Sequence, residues 1–242
     1  MPHLQAALNG SRTPAEHPAI PRTPAELARE ARAAAEAGAE LVHVHAYENG
    51  IETLAAGACA AVLLAIRAAR PGLPISLTTS ADIEPDPERR LELVESWTEL
   101  PDLVTANQGE AGIAELCALL LERGVGIEAG LLSLADAEAF VRSALPERCT
   151  RVLVEPLAED RDDALAEAAA IEDVLDRAGV GLEQVHHGEG IASWAVSERG
   201  LARGHGIRTG LEDMTVLPDG SRAADNAELV RAAVELIART TR

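Results

Sequence analysis

Two histidines spaced two residues apart carry the first chemical signal in this 242-residue chain, in the run Leu41-Val42-His43-Val44-His45. Residues i and i+2 of an extended strand point to one face. The two imidazoles therefore converge and make half of a site for zinc or a similar borderline metal. The competing reading is a pair of buried, hydrogen-bonded histidines. Much later comes Gly206-Ile207-Arg208-Thr209-Gly210-Leu211-Glu212-Asp213, where a second β-like run ends in two acids. One carboxylate from that end completes a set of two imidazoles and one carboxylate, which leaves metal positions open to a substrate. Arg208 stands four residues before Glu212 and five before Asp213. A guanidinium beside a carboxylate keeps it ionised and orients it as a base. A solvated acidic pair after a strand is the plainer alternative.

Other polar residues end apolar runs. Thr78-Thr79-Ser80 and Thr105-Ala106-Asn107 offer hydroxyl and amide groups suited to a carboxylate or an oxyanion. Each also serves as an ordinary strand-end turn. Glu128 and Glu155 are single acids in apolar strand sequence, where an unpaired carboxylate is costly to bury. His186-His187-Gly188-Glu189-Gly190 places glycines where backbone can approach a ligand. Trp194 reads as helix packing, and Gly204-His205-Gly206 is a weak phosphate-loop candidate.

The elements that must position these residues alternate. Strands are expected at 4–9, 41–47, 74–80, 103–107, 126–131, 151–157, 183–188 and 206–211. Helices are expected at 23–39, 51–69, 87–100, 110–123, 135–145, 160–178, 191–203 and 225–241. Eight β–α units in a chain of this length point to one (β/α)8 TIM barrel spanning residues 1–242, with its active site at the C-terminal ends of the strands. No G-x-G-x-x-G follows the first strand, which argues against an open dinucleotide-binding sheet. Thr23-Pro24-Ala25-Glu26 is a capping box with proline at the first helical position. The same pentapeptide, Arg-Thr-Pro-Ala-Glu, occurs at 12–16 and 22–26. The first copy runs into His17-Pro18 and is read as shared capping chemistry, not as a fold repeat.

Composition narrows the function. Forty acids against 21 basic residues leave a net charge of −19. That excludes a general binder of nucleic acid or anionic membrane. All of the basic residues are arginine. Without lysine there is no Schiff-base chemistry and no Gly-Lys phosphate loop, so carbanion chemistry needs another electron sink, such as a metal. Cys59, Cys117 and Cys149 form no C-x-x-C and read as small core residues of a protein in the reducing cytoplasm. The first residues show no secretory pattern, and no apolar run approaches a membrane span.

These motifs, in this order and spacing, resemble the β-keto acid cleavage enzyme family. The resemblance runs from Ala6-Ala7-Leu8-Asn9-Gly10 and Pro21…Thr23-Pro24-Ala25-Glu26, through Ala37-Gly38-Ala39, His43-Val44-His45, Leu77-Thr78-Thr79 and Thr105-Ala106-Asn107. It ends in Arg208-Thr209-Gly210-Leu211-Glu212-Asp213 and Asp225-Asn226-Ala227…Leu229-Val230. It implies a barrel holding one divalent metal, usually Zn2+, on His43, His45 and Glu212. It also implies that Asp213 is the general base, with Arg208 as its partner. Thr78, Thr79, Thr105, Asn107 and Glu128 are then expected to meet the substrate. Members take a β-keto acid and acetyl-CoA and form acetoacetate and a new acyl-CoA, as homo-oligomers (tetramer or dimer). The alternatives are another metal-dependent aldolase, decarboxylase or hydrolase, or a non-catalytic barrel that binds a metal or small acid.

The chain departs from the family pattern. It is shorter than typical members, Ser80-Ala81 replaces a Gly-Gly, and Arg12 stands where an amine-recognising acid is found. Arg12 is therefore expected at the substrate, and the keto acid is expected to have a neutral or anionic tail.

Overall fold

Local capping chemistry starts five of the helices, the last through Asp225, which accepts the Glu228 N–H at 2.8 Å. In the computed structural model, which describes residues 3–240, Thr23 accepts the N–H of Glu26, and the Glu26 carboxylate receives the N–H of Thr23. Pro24 then opens α1 (Pro24–Ala37). Asp86, Ser133 and Asp160 cap α3 (Pro87–Glu95), α5 (Leu134–Arg142) and α6 (Arg161–Ala178) in the same way. Each such cap contributes about 1 kcal/mol. The first copy of the pentapeptide repeats the contact, Thr13 N–H to Glu16 at 2.7 Å, but leads only into turns.

Eight parallel strands close into a barrel: β1 (Leu4–Ala7), β2 (Leu41–Val44), β5 (Ile75–Thr78), β6 (Leu103–Asn107), β7 (Gly126–Leu131), β8 (Arg151–Val154), β9 (Glu183–His186) and β10 (Gly206–Thr209), with β10 pairing back to β1. The remaining helices are α2 (Ala56–Ala69), α4 (Ile113–Glu122), α7 (Ala192–Ala202) and α8 (Asn226–Thr240). The expected TIM barrel is therefore present, with all eight units in order. The expectation differs most after β2, which ends at Val44 and not at Tyr47. The chain there forms a hairpin of β3 (Tyr47–Glu48) and β4 (Ile51–Glu52), turned by Asn49 and Gly50, both at positive φ. The following helix begins at Ala56, not Ile51, because Ile51 and Glu52 pair back on Tyr47 and Glu48. The helix expected to reach Leu100 ends at Glu95, and Thr241 of the last helix lies outside the described residues.

The two faces of the strands differ sharply. Val42, Val44, Ile75, Leu77, Val104, Ile127, Val152 and Ile207 belong to the apolar core that the helices cover. The lumen is polar. Glu128, fully buried, accepts hydrogen bonds from Ser76, from Gln5 at 3.3 Å and from Thr105 at 3.5 Å, with Arg151 3.6 Å away. These partners, drawn from β5, β1, β6 and β8, offset the cost of burying its charge. The three cysteines are free and buried, as expected of core residues. Among the described residues no helix is long and apolar enough to cross a membrane.

A second polar cluster sits in the helix layer. The Glu172 carboxylate receives Arg199 at 2.5 Å, the Arg203 Nε–H, and His205 at 2.8 Å, and the His205 ring stacks on His186. Glu172, His186 and His205 are close enough to suggest a metal set, but two guanidiniums already occupy the carboxylate and repel a cation. Burial opposes ionisation of Glu172, yet the hydrogen bonds from Arg203, His205 and Arg199 outweigh it and bring the carboxyl down to about 2. A depressed carboxyl stabilises the fold above its unfolded-state pKa, and loses that contribution as pH falls through the folded value. Glu172→Gln is expected to cost about 2 kcal/mol at pH 7, or roughly 4–8 °C in Tm. The deficit should narrow below pH 5, read by thermal melts across that range.

Candidate active site

The end of β2 is positioned by an amide clamp. Asn9, just past β1, donates to the His45 carbonyl at 2.9 Å and accepts the His45 N–H at 2.9 Å. His43 and His45 thereby face the cavity at the C-terminal mouth of the barrel. Opposite, Gly210 turns the chain out of β10 at φ +149°, pressed so closely on the Ala7 carbonyl that a Cβ would lie 1.9 Å from its oxygen. The Glu212 N–H bonds that same carbonyl at 3.2 Å, and buried Asn226 receives the Leu211 N–H at 2.9 Å. Gly10, at φ +54°, leaves room for the Glu212 side chain, which a Cβ there would meet at 2.5 Å.

These constraints bring three ligand atoms together. His43 Nε2 lies 3.1 Å from His45 Nε2, and the Glu212 Oε1 is 3.6 Å and 3.5 Å from them. A triangle of those sides has a point about 2.0 Å from every corner, the length of a metal–imidazole or metal–carboxylate bond. The ring nitrogens facing away are held. His43 Nδ1 donates to Ser76 Oγ at 3.1 Å, and Ser76 in turn donates to Glu128. His45 Nδ1 donates to Glu52, from the β3–β4 hairpin. His43 thus directs its Nε2 lone pair inward. Burial opposes charge on His45, but Glu212 and Glu52 raise it to about 9, so a cation would have to displace its Nε2 proton. Such supporting hydrogen bonds orient metal ligands and raise their basicity. Glu212 Oε2 is buried without a hydrogen-bond partner. The donor set fits a divalent cation.

Charge accumulates around the triangle. Arg208, 2% exposed, donates to Asp213 Oδ2 at 3.1 Å and Oδ1 at 2.6 Å, and to Glu212 Oε1 at 2.9 Å. Burial opposes the Glu212 charge, but His45, His43 and Arg208 hold it well below the usual carboxylate range. Burial pushes Asp213 up to about 6, with Glu212 adding to the rise and Arg208 opposing it. The expected effect of Arg208 is present but is outweighed by burial. Asp213 is ionised at pH 7 and is a stronger base than an exposed aspartate. Burial lowers His43 to about 3, so that ring is neutral and its lone pair free.

A cavity of about 260 Å³ opens over the triangle. Of the residues singled out by sequence, Thr78, Thr105, Asn107, Arg208 and Asp213 line it with the triad. Thr79 does not: its hydroxyl donates to the Thr105 carbonyl at 2.7 Å, away from the opening. Glu128 lies beneath the cavity and is not among its lining residues; it holds His43 through Ser76. Arg12 is drawn aside. It pairs with Glu189 and donates to the backbone carbonyl of Glu212 at 2.8 Å. Among the described lining residues Arg208 is the one guanidinium, and it is committed to Asp213 and Glu212. An anionic substrate tail therefore finds no unengaged cation. Sequence reasoning missed Ser76, Glu52, Asp82 and the wall residues Leu132 and Leu157. Glu52 was findable, because Asn49-Gly50 is a strong two-residue hairpin signal.

The chain matches the family described as beta-keto acid cleavage enzyme over residues 3–145 and 158–242. It belongs to the β-keto acid cleavage enzyme family. It is 30% identical over 255 residues to a 3-keto-5-aminohexanoate cleavage enzyme from Fusobacterium nucleatum subsp. nucleatum, covering 96% of this chain and 90% of that one. Among solved structures it resembles a ternary complex of ObcA with a C4-CoA adduct and oxalate, with TM-score 0.75 and 18% identity over 92% of this chain. The chain spans 64% of that ObcA chain's length. A 3-dehydroquinate dehydratase from Aquifex aeolicus VF5 also shares the fold, with TM-score 0.62, 16% identity and 98% coverage of both chains.

The support of His45 by Glu52 has a measurable consequence. Glu52→Gln is expected to weaken Zn2+ binding about 10–100-fold by titration calorimetry, with Tm changed by no more than a few degrees.

Proposed function

We propose that the protein is a metal-dependent β-keto acid cleavage enzyme. It joins a β-keto acid to acetyl-CoA and releases acetoacetate and a new acyl-CoA. The observation that carries this reading is the Asp213 carboxylate, held by two Arg208 hydrogen bonds directly beside the His43–His45–Glu212 triangle. A divalent metal, in this family usually zinc, would be held by His43, His45 and Glu212 and would supply Lewis-acid chemistry that acidifies the CH2 beside the keto group. Asp213 takes that proton. Arg208 keeps the base aimed while it is anionic and leaves a donor network in place when it is neutral. Thr78, Thr105 and Asn107 offer hydroxyl and amide groups to the substrate carboxylate. The deprotonated carbon attacks the acetyl-CoA carbonyl, and coenzyme A then cleaves the new diketone on its other side. Asp213 returns the proton to the departing acetoacetate.

Arg12 is engaged by Glu189, and the cavity wall carries Leu132 and Leu157. These features support an uncharged tail on the keto acid. The three free, buried cysteines support a reducing cytoplasm. Assembly as a dimer or tetramer follows the family pattern, and light scattering reads it.

The function is tested by a panel of β-keto acids with acetyl-CoA, following acetoacetate and the new thioester. Uncharged tails should outperform carboxylate tails. Carbon dioxide release without acetyl-CoA would instead make the protein a decarboxylase. Asp213→Asn is expected to keep its metal and lose about 10²–10⁴-fold in kcat, measured as turnover alongside metal content.

A further inference from the structure

One acid that faces the cavity has no part in the reaction as written. Glu155 follows β8, its N–H bonds the Leu131 carbonyl at 3.1 Å, and its carboxyl lines the same cavity as the metal triangle. Behind it is His187, which follows β9 and is completely buried. Neither ring nitrogen of His187 has a hydrogen-bond partner. Its Nε2 lies 3.4 Å from Glu155 and its Nδ1 lies 3.7 Å from Asp213. A buried imidazole without partners is expensive, and here it stands between the proposed base and a second carboxyl that reaches the substrate space.

The chemistry leaves one charge unattended. When the substrate carbon bonds to the acetyl carbonyl, the carbon–sulfur bond breaks and coenzyme A departs as a thiolate. Among the described lining residues Arg208 is the one guanidinium, and Asp213 and Glu212 already hold it. The remaining way to neutralise sulfur with the chain's own groups is a proton.

We propose that Glu155, supported by His187, carries the proton of the coenzyme A sulfur in this enzyme. This inference rests on the acetyl-CoA reading above. In the first half, the Glu155 carboxyl O–H gives its proton to the leaving sulfur, which departs with the bonding electron pair. The products are a thiol and a Glu155 carboxylate. In the second half, the carboxylate takes the S–H proton back as sulfur attacks the other keto carbon. The carbon–carbon bond then breaks, its electron pair goes to the acetoacetate carbon, and Asp213 protonates that carbon. Both acids end in their starting states.

The groups around Glu155 suit it to this exchange. It faces Arg208, Asp213 and Glu212 from the β10 end of the barrel, and His187 and Glu189 from the β9 end. Burial pushes it up, the three neighbouring carboxylates push it further, and Arg208 opposes them; the result is about 8. A carboxyl raised in this way holds a proton that it can give to a leaving sulfur and take back. Burial, with Arg208 nearby, holds His187 well below its ordinary value, so it stands 3.4 Å from Glu155 as a neutral ring.

The test separates the two halves of the reaction. Exchange of the keto acid's CH2 protons in D2O, without acetyl-CoA, reads Asp213 chemistry alone, while thioester formation reads both halves. For Glu155→Gln, exchange should stay within about twofold of wild type, whereas kcat for thioester formation falls about 10²-fold or more. The wild-type decline in kcat as pH rises through the range where Glu155 loses its proton should vanish in this variant. Glu155→Asp should recover part of the rate. An unchanged kcat overturns the proposal. So does a rise confined to KM, which would make Glu155 a binding residue, or an equal loss of exchange and transfer, which would make it structural. Wild-type protein showing neither exchange nor acetoacetate would instead refute the cleavage reading itself.

Discussion

The site depends on how the barrel closes between β10 and β1. At that seam Gly210 lies against the Ala7 carbonyl in a backbone conformation that L side chains rarely adopt, with no space for a Cβ. The same carbonyl receives the Glu212 N–H, and Asn226 ties Leu211 to the start of α8 while donating to the Leu8 carbonyl at 3.1 Å. First and last strands are joined where the third ligand and the base leave the barrel. His43 and His45 come from β2, the other neighbour of β1, and Asn9 fixes their strand end. A short stretch of β1 backbone therefore sets the distance between the imidazoles and the carboxylate. This is why residues so far apart in sequence meet with their ligand atoms 3.1 to 3.6 Å apart.

The lumen shows how that geometry is kept. Most barrels of this kind fill their interiors with branched apolar side chains. Here Gln5, Ser76, Thr105 and Glu128 form a hydrogen-bonded layer directly below the triangle. Ser76 passes the direction of the Glu128 charge to His43 Nδ1, fixing the ring's tautomer. Above the layer, one arginine serves two carboxylates with different futures. Glu212 stays anionic, as the proposed cation site requires, and Asp213 is raised, as the proposed base requires. The absence of lysine, which first only excluded Schiff-base chemistry, fits a site whose electron sink is a metal.

Much of this was legible in the sequence. The alternation of eight β-like and eight helical runs gave the barrel, and the i, i+2 spacing of His43 and His45 gave their common face. What was not legible came from contacts across the barrel. Glu128 reads from its strand sequence as a substrate-facing acid. Its true height in the lumen depends on strand stagger, which places it level with Ser76 and Gln5. Thr79 is adjacent to Thr78 and so points to the opposite face of the strand. Arg12 looks free in sequence, because its partner Glu189 lies on a loop 177 residues away. Glu52 is hidden because Ile51-Glu52, after the Asn49-Gly50 turn, reads as the start of a helix, whereas both residues pair back on Tyr47 and Glu48 as β4. Glu155 was visible as an acid in apolar surroundings, but only the fold shows that His187 stands behind it.

The account stands or falls on one cation at the centre of the His43, His45 and Glu212 triangle. The direct measurement is X-ray absorption and anomalous scattering on crystals of the purified protein loaded with Zn2+. One ion is expected with two nitrogen ligands and a carboxylate oxygen at about 2.0–2.2 Å, its anomalous peak over the mouth of the barrel between β2 and β10. Zinc found only at Glu172, His186 and His205, or protein that retains no stoichiometric metal, would contradict it.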